Sequence, residues 1–177
     1  STTVTITTTG GSGNGAVSYS TSSGACSVNA STGVITIIAA GDCVVTATKA
    51  TSTNYLATSA ATTVTITKGT QATFTATVNP DAVTYNDGTA ITAAYNGGSG
   101  TGAVSYSTSS GACSVDATTG VVTINGAGDC VIDVTKASDS NYVVANSSVT
   151  ISVAKATQAT FTASKSGNTT YGSSTVI

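Results

Sequence analysis

GGSGTGAVSYSTSSGACSVDATTGVVTINGAGDCVIDVTKASDSNY, residues 97–142, is written twice in this chain. The other copy, GGSGNGAVSYSTSSGACSVNASTGVITIIAAGDCVVTATKATSTNY, spans residues 10–55. No gap separates the two registers, and the offset is about 87 residues. Gly15 falls on Gly102, Tyr19 on Tyr106, Cys26 on Cys113, Cys43 on Cys130, Lys49 on Lys136 and Tyr55 on Tyr142. A fixed period decides architecture. This one is too long for a solenoid unit and suits one small β-sandwich.

The local pattern agrees. Residues 1–9 alternate in period two around Val4 and Ile6, and 16–22 place Val17 and Tyr19 on one face. Such alternation reads as strands with one buried side. Further strands are expected at 33–38, 43–50 and 61–68, and again at 103–109, 112–116, 120–125, 130–136 and 147–154. Gly- and Asn/Asp-rich turns separate them. Residues 69–96 have no full earlier copy, and suggest strands at 71–78 and 89–95 around a turn at Asn79-Pro80-Asp81.

The cycle then restarts. KATQATFTA at 155–163 repeats KGTQATFTA at 68–76, and YGSSTVI at 171–177 resembles YNDGTAI at 85–91. The expected organisation is therefore a complete repeat over 70–155. Residues 1–69 read as the rear part of a preceding repeat without its first strand, and 156–177 as the first strands of the next. Gln158, Phe161, Tyr171 and Ile177 mark a segment that one subunit could lend to another by strand addition.

Composition narrows function by exclusion. The net charge is −2, from five Lys and seven Asp, and charged residues make up 7% of the chain, against an average of about 25%. Arg, Glu, His, Met and Trp are absent, and Thr supplies roughly a fifth of the residues. Few helix formers and many β-branched residues point to an all-β chain. Five scattered lysines make no phosphate-binding stripe, which argues against nucleic acid. No apolar run reaches the length of a membrane span.

The four cysteines form two pairs, Cys26/Cys43 and Cys113/Cys130, each spaced by 17. Four cysteines allow three connectivities. The repeat favours pairing within each unit, so that every sandwich closes its own bond. Structural zinc usually needs closer ligand pairs and often His. Disulfides place the chain in an oxidising, extracellular compartment.

Several features together carry a family resemblance: Lys-Ala-x-Gln at the join, GGSGTGAVSYS, Ala-Cys-Ser-Val-Asp, TGVVTINGAGDC and VTKASDSNY. Over its whole length the chain resembles the bacterial immunoglobulin-like tandem repeats of giant secreted surface proteins and adhesins. The resemblance implies a β-sandwich fold, a tandem arrangement and a spacer or adhesive-stalk role. The Cys-Trp-Cys core of antibody domains is not matched, since Trp is absent and the cysteine spacing is too short.

Catalysis finds no candidate residue. Without His, Glu or Arg a nucleophile has few bases to work with. Lys49 and Lys136, at strand ends before loops, read as exposed or snorkelling lysines rather than desolvated catalytic ones. Asp42 and Asp129, in Gly-Asp-Cys turns, read as turn residues rather than calcium ligands. The chain is expected to be a structural, cofactor-free segment of a surface stalk or fibre, its partners being copies of itself or adjacent repeats. The alternative is an adhesin or carbohydrate-binding module that contacts surface glycans through loops such as 79–88 or 97–102, which lack aromatic platforms beyond Tyr85 and Tyr95.

Overall fold

A computed structural model describes residues 3–168 and 170–172. The first unit contributes β1 (Val4–Thr5), β2 (Val17–Thr21), β3 (Cys26–Val28), β4 (Val34–Ile37), β5 (Gly41–Lys49) and β6 (Thr58–Ile66). The second contributes β7 (Phe74–Val78), β8 (Ala82–Thr84), β9 (Ile91–Gly97), β10 (Val104–Ser107), β11 (Cys113–Val115), β12 (Val121–Ile124), β13 (Gly128–Lys136) and β14 (Ala145–Ala154). Among the described residues there is no helix, as the β-branched composition requires.

The second unit is two four-stranded sheets, ordered β11-β12-β9-β7 and β10-β13-β14-β8. Counting strands in chain order, the first sheet holds the fourth, fifth, second and first. The other holds the third, sixth and seventh. This is the immunoglobulin-like order. The first strand is split: β7 pairs antiparallel with β9, then the chain turns at the cis Asn79–Pro80 bond and β8 pairs parallel with β14. Alternation along each strand points one set of side chains inward, so Ile91, Ile132, Val134 and Ile151 fill the space between the sheets.

The first unit repeats this plan with two three-stranded sheets, β1-β4-β3 and β2-β5-β6. Among the described residues, no strand takes the places that β7 and β8 hold in the second unit. β1 consequently covers only two residues where β9 covers seven, because beyond Ile6, whose N–H still reaches the Gly33 carbonyl, no neighbouring strand of the described residues lies alongside. Its core is smaller, formed by Cys26, Ile35, Cys43 and Val45.

Each hairpin between the fourth and fifth strands is built alike. Asp116 Oδ1 accepts the backbone N–H groups of Thr118 and Thr119, and Asn29 Oδ1 those of Ser31 and Thr32. Gly120 closes the turn at φ 73°. A side chain there would stand 2.4 Å from the Ala93 carbonyl oxygen and about 3 Å from the Tyr106 ring, so only glycine fits.

Candidate functional site

Both disulfides join layers. Cys113 begins β11 in one sheet and Cys130 lies in β13 of the other, with Cα atoms 5.6 Å apart. Cys26 and Cys43 repeat this at 5.7 Å. Cys43 and Cys130 are fully buried. The bond therefore links the fourth and sixth strands, and the short spacing of the cysteines reflects how close those strands lie in sequence.

Lys136 is more buried than an exposed or snorkelling lysine, at 8% exposure. Its Nζ donates to the Gly102 carbonyl at 3.1 Å. Its stem passes beneath Gly98, where an added Cβ would come within 2.7 Å of Lys136 Cδ and 3.3 Å of the Phe74 ring. Phe74 in β7 thus helps to cover it. Lys49, with no strand in the place of β7, is only half-buried. Asn141 Oδ1 accepts the Ala40 N–H. Asp42 and Asp129 accept from Thr65 and Ser152 hydroxyls. Among the described residues, no group of three or more His, Cys, Asp or Glu could hold a metal ion.

Three carboxylates are held below their ordinary range by backbone hydrogen bonds. Asp87 is held by the N–H groups of Thr89 and Thr84, and Asp116 by that of Thr119 with its hydroxyl and by that of Thr118. Asp139 is held chiefly by the N–H groups of Asn141 and Thr101. All three tie loops. Tyr95, in β9, packs against Phe74 with ring centroids 5.6 Å apart, and Tyr85 and Tyr95 are each 41% exposed.

Two features stand out as places of interaction. The first is the junction between units. The Gly69 N–H donates to the Asn141 carbonyl, the Val143 N–H to the Gly69 carbonyl and Gln71 Nε2 to the Val143 carbonyl. With the Ala40–Asn141 bond, these tie the end of β6 and the turn before β5 to the loop between β13 and β14. Sequence reading missed this role of Asn141.

The second is a groove in the first unit. Thr8, Thr9, Ala47 and Ala60 line it centrally, with Ile6 and Lys49 at its ends. In the second unit the same place is filled by β7, which pairs with β9 and packs across β14. On the inner face of β6, Ala60 and Thr62 are therefore exposed where Ser147 and Val149 of β14 are half-buried. Beyond β14, residues 155–168 belong to no strand and are exposed, Phe161 to 93%. Gln158 and Tyr171 are exposed too. Ile177 lies outside the described residues.

No family model and no curated protein matches the chain. Several solved structures are similar to the chain. Drosophila N-cadherin EC1-3 is 15% identical at a TM-score of 0.35, over 81% of this chain and 56% of that one. Domains 1–6 of the surface-layer protein SbsC are 14% identical at 0.35, over 80% and 20%. A C-terminal 282-residue fragment of intimin, crystallised with the intimin-binding domain of the translocated intimin receptor, is 21% identical at 0.35, over 80% and 52%. The chain spans about half the length of the N-cadherin fragment it matches. The immunoglobulin-like assignment rests on strand order, not on these scores.

Proposed function

We propose that the chain is a structural segment of an extracellular stalk or filament of tandem immunoglobulin-like units, without catalysis. The observation that carries this is the junction. β6 leads through Gly69 and Gln71 directly into β7, and both residues are hydrogen-bonded to the next unit on the way. No slack linker separates the sandwiches, so tension on one unit passes into the first strand of the next. Two buried inter-sheet disulfides, which persist in oxidising surroundings, support an extracellular setting and limit how far each unit can extend. The partners in this reading are adjacent repeats or further copies.

Electron microscopy of the native assembly tests it. Aligned beads spaced by roughly 40 Å are expected, from strands of about ten residues at ~3.3 Å each plus their loops. Isolated compact particles sink the proposal. A glycan-binding role has one supporting observation, the exposed Tyr85 ring beside the 86–88 turn. Glycan binding that is lost in Tyr85→Ala would favour it.

A further inference from the structure

We infer that the open groove of the first unit receives residues 156–163 of a second copy as its first strand, joining chains head to tail. This rests on the filament reading above and names the contact that would build the filament.

The second unit shows what the groove accepts. Residues 69–76 enter it from the preceding unit. Gln71 bridges the Val143 carbonyl and the Ser99 N–H, the Ala72 N–H donates to Ser99 Oγ, and the Gly98 N–H donates to the Thr73 carbonyl. Phe74 then lies against Tyr95 and Gly98. Residues 156–163, ATQATFTA, repeat 69–76, GTQATFTA, with one change. That change is compatible: a Cβ added at Gly69 would make ordinary contact with the Tyr142 ring at 3.7 Å.

The receiving side is present as well. Ser12, Gly11 and Leu56 stand where Ser99, Gly98 and Val143 receive the strand, and Tyr55 stands where Tyr142 bridges Gly69. Tyr55 is 51% exposed and Leu56 89%. Gly97 leaves room for the incoming strand, since a Cβ there would meet the Thr73 carbonyl oxygen at 1.9 Å. Gly10 takes the same φ, +79 against +80, with nothing within 4 Å. Several receiving positions differ: Ala60 replaces Ser147, whose hydroxyl accepts the Ala76 N–H, Leu56 replaces Val143, Thr62 replaces Val149, and along the pairing strand Ile6, Thr7, Thr8 and Thr9 replace Ala93, Ala94, Tyr95 and Asn96.

Residues 156–163 do not reach the groove of their own molecule. β14 ends at the pole of the second unit farthest from the first, and the groove is entered at the opposite pole of the first unit. The nine residues of β6 and the ten of β14 separate them by roughly 60 Å at ~3.3 Å per residue. Gln158 lies four residues past Ala154, a reach of about 14 Å at most. In another copy the same segment leaves one pole and meets the next, as β6 does within the chain.

The test uses the 177-residue chain and a labelled peptide of residues 155–164. The peptide is expected to saturate one site per chain, and its Phe161→Asp and Thr162→Pro forms to bind at least tenfold more weakly. The aspartate places a charge in the groove. The proline removes a donor from the ladder that Thr75 makes opposite Asn96. Ala60→Ser in the chain restores an acceptor for the Ala163 N–H and is expected to tighten binding severalfold. Phe161→Asp in the chain, at an exposed position, is expected to leave both units folded and convert oligomers to monomers. Oligomers that are indifferent to both tail substitutions overturn the inference while leaving the filament reading standing. Peptide binding without any filament in the native material overturns the filament reading alone. Native subunits far above 17.0 kDa on a reducing denaturing gel, with grooves closed to the peptide, assign the groove to a segment of the same chain and overturn the inference.

Discussion

Cys113 and Cys130 stand on opposite sheets of one sandwich, joined by a disulfide with Cα atoms 5.6 Å apart. The bond closes a short loop and pins the fourth strand to the sixth across the core. Replacing both cysteines by alanine is expected to cost about 3 kcal/mol, from the closure entropy of a loop of this length. Urea unfolding of the double variant against the parent, read as a lower midpoint with a slope no shallower than the parent's, checks it. An unchanged midpoint would show that the two layers hold together without the bond.

Ile132 and Val131 are chain neighbours on opposite faces of β13. Ile132 is fully buried between the sheets and Val131 is 37% exposed. Ile132→Ala should destabilise the second unit by about 2–5 kcal/mol, through lost burial and an unfilled cavity. Val131→Ala should cost well under about 1 kcal/mol. Equal losses at both positions in chemical denaturation would contradict the assigned register.

Gly120 holds a left-handed turn against the Ala93 carbonyl and the Tyr106 ring. Gly120→Ala is expected to cost about 1–3 kcal/mol, because both φ and the contact oppose a side chain. Gly111, which has nothing within 4 Å, serves as the control. Gly111→Ala should leave the thermal midpoint within a degree or two.

Acid should act on the second unit. Asp87, Asp116 and Asp139 are held low by backbone N–H groups. Groups depressed in the folded state contribute stability that is full above the unfolded value, about 3.9, and fades as pH falls through the lower folded values. The first unit has Asn29 and Ser52 at the places of Asp116 and Asp139. Thermal melts between pH 5 and 2 should show falling stability in the second unit, and Asp116→Asn with Asp139→Asn should flatten that slope. A parent melting temperature that is constant over this range would refute the prediction.

Much of the architecture was legible in the residues. Period-two alternation placed nearly every strand to within two or three residues, since facing one core forces that pattern. The exception is instructive. Residues 1–9 alternate throughout, yet only Val4 and Thr5 form β1, because a strand exists only where a neighbour accepts its hydrogen bonds. Lys136 was misread for a similar reason. Its stem lies beside Gly98 and its Nζ reaches the Gly102 carbonyl, both more than thirty positions earlier in the chain, and nothing local to VTKAS announces it.

By itself the sequence determined an all-β chain in repeats of about 87 residues, with paired cysteines and almost no chemistry beyond hydroxyls and amides. Those properties follow from local periodicity and residue type. Only the tertiary structure decided that each disulfide crosses the sandwich, that the first strand of the second unit splits between two sheets, and that the loop before β14 carries the hydrogen bonds joining the two units. These depend on which strands become neighbours, a relation set by packing over long separations that no local pattern encodes.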